Sequence, residues 1–223
     1  MTRARSALTV SVAAVAVALY ALMWLAYSRQ WGWLHGVDWW LLNSAHAVGV
    51  KHPLWVDFWD GVSFALGPVP LRVLGMAAAV AALVRRNVRA ALVLLVCGPL
   101  SGVVTTAAKG LANRTRPSTM LVPASSTSFP SGHALEATAG LLAILAFVLP
   151  LLSRTAGRVL AVAAAVCALA VGAARVALNV HHPSDVLAGW CLGYLYFLLC
   201  VLVFRPTWSR RGDTIEAKAL LDP

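Results

Sequence analysis

Charge is what this chain lacks. Only 12% of its 223 residues are Asp, Glu, Lys or Arg, while 60% are hydrophobic, a balance that leaves too little polar surface to wet a soluble domain. Acids are the scarcer sign, eight against eighteen lysines and arginines. Two-metal hydrolases need several carboxylate or imidazole ligands, and the outer face assigned below offers few acids besides the isolated Asp38, Asp57 and Asp60, so no metal and no cofactor are expected. Cysteine is limited to Cys97, Cys167, Cys191 and Cys200, all within apolar runs and without the paired spacing of a zinc site. They read as small buried hydrophobes, and no disulfide is expected. Without a fixed-period repeat or a flexible linker, the chain reads as one membrane-embedded domain, 1–223, with short tails at 1–7 and 205–223.

What the chain has is long apolar runs. About six are of the length a helix needs to cross roughly 30 Å of hydrocarbon: Leu8–Tyr27, Val69–Val84, Ala90–Ala108, Ala134–Leu152, Val159–Leu178 and Val186–Phe204. The expected fold is therefore all-α, a six-span transmembrane bundle with an interfacial segment after the first span. The first run follows Arg3 and Arg5 as an export signal would, but it exceeds a signal's apolar core of about 7–15 residues and reads as a retained anchor. The alanine and valine in the spans suit close helix approach in lipid.

The formal charge of +10 is not a nucleic-acid footprint, because of its placement. With six crossings, Arg3, Arg5, Arg85, Arg86, Arg89, Arg154, Arg158, Arg205, Arg210 and Arg211 fall on one side, which the positive-inside rule makes cytoplasmic together with both termini. The loops on the other side, and any chemistry they carry, are then extracytoplasmic. One of them, Ser28–Pro68, holds six of the nine tryptophans and reads first as an aromatic belt at the interface.

Three short motifs lie at that outer end. Lys109 precedes Arg116-Pro117 by seven residues, so a helix continuing through both would put the two cations on one face, with the proline ending it; alone, they could be ordinary snorkelling cations. Pro130-Ser131-Gly132-His133 stands before an apolar run. There serine can cap a helix, glycine lets backbone approach closely, and the first free amides attract anions. Arg175, His181 and Asp185 bracket the turn between the last two spans. Pro183 and Asp185 suit a helix start, and Asp185 could equally hold one ring nitrogen of His181. Together the motifs supply three cations, helix-terminal amides, two imidazoles and one carboxylate, the groups that phosphoryl transfer uses.

The set Lys109-x6-Arg116-Pro117, Pro130-Ser131-Gly132-His133 and Arg175-x5-His181-x3-Asp185 resembles the three-part signature of the type-2 phosphatidic acid phosphatase superfamily, which includes lipid phosphatases, undecaprenyl diphosphate phosphatases and soluble vanadium haloperoxidases. The resemblance implies a metal-independent lipid phosphatase. Lys109, Arg116 and Arg175 would clamp the phosphate with Ser131 and the Gly132 amide; His181 would attack phosphorus, Asp185 would orient it, and His133 would protonate the leaving oxygen. The substrate would be a lipid phosphate or diphosphate from the outer leaflet, undecaprenyl diphosphate, phosphatidate or phosphatidylglycerophosphate among them. The family usually has serine before the third-motif arginine where this chain has Ala174, which implies one hydrogen bond fewer near the phosphate.

Among neighbouring residues, Arg114 and His182 lack the family spacing and read as interfacial, and His35, His46 and His52 read as surface groups. Glu136 lies one turn after His133; an acid at membrane depth needs a partner, and His133 or a clamp cation is the expected one, with substrate tuning as a possible role. Two other functions compete: a phosphotransferase using the same histidine, and a non-catalytic transporter or scaffold for an anionic lipid. The last leaves the histidine-aspartate spacing without a purpose.

Overall fold

The computed structural model describes residues 3–206; Arg210, Arg211 and the rest of the tail lie outside the described residues, as do the side chains of Arg3 and Arg5. The described chain is helical: α1 (Arg3–Ser28), α2 (Gly32–Gly49), α3 (Pro53–Ala65), α4 (Pro68–Val84), α5 (Val88–Cys97), α6 (Ser101–Ala112), α7 (Gly132–Val148), α8 (Arg154–Ala177) and α9 (Pro183–Phe204). Six stretches are long and apolar enough to span a bilayer, Ala7–Ser28, Pro53–Val84, Val88–Ala112, Gly132–Leu151, Arg154–Ala177 and Pro183–Phe204, so the chain is a multi-pass membrane protein.

Two spans depart from expectation. The second begins at Pro53 rather than Val69, because α3 is itself apolar and runs into α4 across an extended Gly67 (φ −81°, ψ −171°). The third is broken after Cys97 by Gly98-Pro99, since proline has no N–H to continue the ladder. Its second half, α6, also stops early. Asn113 adopts the left-handed conformation (φ 48°, ψ 35°) that ends helices, so Arg116 does not share a helix face with Lys109 and Pro117 does not terminate that helix.

Helix α7 is the centre of the bundle, packed against α4, α5, α6, α8 and α9, while α1 lies along α9. Glycine sets the α7–α9 approach: a Cβ on Gly189 would stand 2.6 Å from Ser131 O, and one on Gly193 2.5 Å from Leu135 O. A larger residue at either position would push the helices apart, in a layer where close backbone contact is the main source of association. The same closeness brings the first turn of α9 to that of α7, where Ser131 N donates to Asp185 O at 2.9 Å. Up-and-down topology leaves Arg85, Arg86, Arg89, Arg154, Arg158 and Arg205 at the far ends of their helices, a length of roughly 36 Å from the motifs for the 24 residues of α8.

Candidate active site

The first element of the site is the turn Leu178–His182. Asn179 is left-handed there (φ 54°), and the N–H groups of Val180 and His181 both return to Arg175 O, at 3.1 and 3.2 Å. This tight end of α8 holds Arg175 and His181 together, and α9 then starts at Pro183 with Asp185 in its first turn, as expected. Asp185 Oδ2 accepts from His182 N at 2.8 Å and lies 3.5 Å from His181 Nδ1. The helix-start and imidazole-orienting readings of Asp185 are thus geometrically compatible.

Arg116 reaches this turn from the non-helical stretch after α6. Its Nε donates to Ser126 O at 3.0 Å, its Nη2 to Ser125 O at 2.8 Å, and its Nη1 to Val180 O at 2.6 Å. The same Nη1 lies 3.2 Å from His181 Nε2. A guanidinium can only donate, so Nε2 carries the lone pair and the ring proton sits on Nδ1, facing Asp185. His181 is 1% exposed, and burial pushes its imidazole down to about 3, with Arg116 and Arg175 acting in the same sense and Asp185 opposing. Burial also lowers Arg116 from its ordinary value.

Ser131 is the N-cap residue of α7, yet its side chain makes no capping bond. Its hydroxyl is buried and hydrogen-bonds no described group, and the same holds for Arg175 Nε. Lys109, on the last turn of α6, donates its Nζ to Thr127 O; its Cε would lie 3.8 Å from a Cβ on Gly132. A cavity of about 410 Å³ is lined by His133 and Arg175 together with Asp60, Ser63 and Phe64 of α3. Buried donors with unspent hydrogen-bonding capacity, cations and an unprotonated ring nitrogen suit a tetrahedral oxyanion. All three motifs therefore meet at one end of the bundle.

Several expectations need correction. Arg114 and His182 are not interfacial: they are 8% and 6% exposed. Arg114 binds Asp38 at 2.8 Å and Asp185 at 2.6 Å, and His182 Nδ1 lies 3.2 Å from Asp185 Oδ2. Asp38 is consequently not an isolated acid. Glu136 pairs neither with His133 nor with Lys109, Arg116 or Arg175; its partner is Arg72 of α4, at 2.6 and 3.0 Å, with Thr105 on its second oxygen at 3.3 Å. The ion-pair partners of Arg114 and Glu136 are 64 to 76 residues away in sequence, with no spacing to betray them, whereas His182 and Asp185 are only three apart. Ser63 was also missed: its Oγ accepts from Arg175 Nη1 at 2.7 Å, so α3 supplies a hydroxyl partner to an arginine preceded here by Ala174. His35 lies 6.0 Å from Trp39, ring to ring, in a second cavity that Arg114, Arg116 and His182 also line.

Among the described residues no group of three or more His, Cys, Asp or Glu is disposed to hold a metal ion.

Residues 90–209 match the model of the PAP2 superfamily. Phosphatidylglycerophosphatase B of Bacillus subtilis (strain 168) is 44% identical over 82 residues, 35% of this chain. That match spans only 40% of the relative's length. The crystal structure of a transmembrane PAP2 type phosphatidylglycerolphosphate phosphatase from Bacillus subtilis superposes with a TM-score of 0.70 at 28% identity, covering 88% of this chain and 96% of that one. With the family model matching more than half of its length, and Lys109, Ser131, Arg175 and His181 all within the matched region, the chain belongs to the PAP2 superfamily.

Proposed function

We propose that the chain is an integral-membrane phosphatase that hydrolyses a lipid phosphate through a phosphohistidine on His181, with phosphatidylglycerophosphate the first substrate to try. One observation carries this reading: the unprotonated Nε2 of the buried His181 stands against Arg116, at the same end of the bundle as the unspent Ser131 hydroxyl and Arg175 Nε. The substrate class follows the names of the two relatives, and the exposed, apolar rim at Phe64 suits an acyl chain arriving from lipid.

In this reading Lys109, Arg116, Arg175, Ser131 and the Gly132 amide hold the phosphate oxygens. His181 Nε2 attacks phosphorus, the P–N bond forms as the P–O bond to the lipid breaks, and His133 gives its proton to the departing alkoxide. Asp185 accepts from Nδ1–H and steadies the charge on the ring. A water then attacks phosphorus, giving its proton to His133, and inorganic phosphate leaves as the P–N bond breaks. General acid help matters most for an alkoxide, which is a poor leaving group. The arginine ends of the bundle lie opposite the site, which under the positive-inside rule supports an extracytoplasmic face for this chemistry.

The test is phosphate release by the purified full chain from phosphatidylglycerophosphate, phosphatidate, lysophosphatidate and a polyprenyl diphosphate, with His181→Ala as the blank. Release from one or more lipids, lost in the blank and accompanied by an acid-labile phosphoenzyme in the wild type, is expected. Equal release by His181→Ala would overturn the mechanism, and no release from any lipid would overturn the function.

A further inference from the structure

Arg114 stands between two carboxylates. Its Nη2 donates to Asp38 Oδ2 at 2.8 Å and its Nη1 to Asp185 Oδ1 at 2.6 Å. Ser184 closes the ring: its Oγ accepts from Arg114 Nη1 at 2.7 Å and donates to Asp38 Oδ2 at 2.6 Å, while its N–H donates to Asp38 Oδ1 at 3.0 Å. Asp38, Arg114, Ser184 and Asp185 are all nearly excluded from solvent, and the Tyr27 ring covers the guanidinium at 4.8 Å.

A purely structural tie between α2 and the start of α9 would not need charge. Ion pairs buried this deeply cost desolvation that well-packed apolar residues avoid. What charge achieves here is to settle Asp185. Arg114 takes Oδ1, while Oδ2 accepts from the Ser128 hydroxyl and the His182 N–H, lies 3.2 Å from His182 Nδ1, and stands 3.5 Å from His181 Nδ1, which hydrogen-bonds no described group. The bare Arg114–Asp185 pair would be neutral; with Asp38 added, the group presents one net negative charge toward His181.

We propose that Asp38 and Arg114 are positioning residues for the reaction, setting the orientation and the basicity of His181 through Asp185. The proposal rests on the phosphatase reading. The other charged or titratable groups that face Asp185 or His181 are Arg116 from the loop, Lys109 of α6, His133 of α7, Arg175 of α8 and His182 beside α9, all unchanged in the variants below. Removing Asp38 strips negative charge from behind His181 and makes it less basic. Removing Arg114 leaves Asp185 less neutralised and makes it more basic.

The experiment compares wild type, Asp38→Asn, Arg114→Gln and the charge-balanced double variant as full chains in detergent micelles, after a melting curve establishes that each is folded. Two readouts are taken: kcat, KM and the acid limb of kcat on the lipid, and the titration of His181 by nitrogen-15 NMR with saturating inorganic phosphate. Asp38→Asn should lower kcat about ten- to a hundred-fold, the scale found when the outer hydrogen-bond partner of a metal-bound imidazole is removed, with KM within about threefold. The acid limb and the NMR titration should move down in Asp38→Asn, up in Arg114→Gln, each by about one unit, and return toward wild type in the double variant. Shifts of the same sign, or lower melting points with no shift, overturn the proposal. If Arg114→Gln does not fold, Arg114→Lys takes its place: a fall in kcat with the acid limb unmoved is expected, and full kcat overturns it. A wild type that releases no phosphate ends the phosphatase reading alone, because the NMR arm still decides whether Asp38 and Arg114 govern His181.

Discussion

Arg116 Nη1 and His181 Nε2 are 3.2 Å apart, and this contact engages the lone pair that the proposed reaction needs. A bound phosphate offers the guanidinium a better acceptor than a neutral ring nitrogen, so binding would free Nε2 at the moment phosphorus arrives in front of it.

Arg116→Lys should therefore be a poor replacement. A lysine cannot span Ser125 O, Ser126 O, Val180 O and the ring together, and it loses the fork that matches phosphate. A loss of about 10²–10³ in kcat/KM is expected, the scale for one donor to a developing charge. Steady-state kinetics check this, and a loss under threefold would remove Arg116 from the clamp.

His133→Ala should separate substrates. If His133 serves as the acid, a monoester leaving as an alkoxide suffers more than a diphosphate leaving as phosphate, which needs little protonation. The ratio of the two losses, measured on phosphatidylglycerophosphate and a polyprenyl diphosphate, is expected to exceed about tenfold. Equal losses would confine His133 to binding.

Acid should destabilise the fold through His181. Its imidazole is held near 3 in the folded chain against an ordinary 6.5. Between those values the unfolded chain takes a proton that the folded one refuses, so stability present above about 6.5 is lost progressively as pH falls toward about 3, by up to about 1.4 kcal/mol per unit. Melting temperatures in detergent between pH 7 and pH 4.5, as round working limits, should fall less steeply for His181→Asn. An unaltered slope would mean that the ring takes up its proton alike in the folded and unfolded chains, and that burial does not hold it down.

Arg72 and Glu136 should behave as a couple. Glu136→Gln leaves the Arg72 cation beside α6 and α7 without its acid, whereas Arg72→Gln with Glu136→Gln removes both charges. The single variant is expected to melt lower than the double, with substrate ranking unchanged in both. A changed ranking would instead give Glu136 the substrate-tuning role.

The spans and the three motifs were legible because each leaves a local signature: an uninterrupted apolar run, a serine-glycine turn before one, and a proline and an acid at fixed distance from a histidine. For Arg114 and Glu136, which were misread, the determining contact was remote. Arg114 resembles any cation near Arg116, and only the return of α9 beside α2 shows that it bridges Asp38 and Asp185. Glu136 announced a need for a partner without naming it, since Arg72 is a helix away. The early end of α6 depends on the left-handed Asn113, a conformation that asparagine tolerates but does not advertise.

Phe129 is fully buried just before Pro130-Ser131-Gly132, and its ring meets those of Tyr20, Trp24 and Tyr27 at centroid distances of 5.7 to 6.1 Å. The first helix thus serves as the back wall of the proposed phosphate cradle. A version of this protein clipped after Ser28, as a peptidase would process an export leader, would keep every motif residue and still lose the aromatic wedge that seats them. Its membrane helices could assemble while turnover vanished.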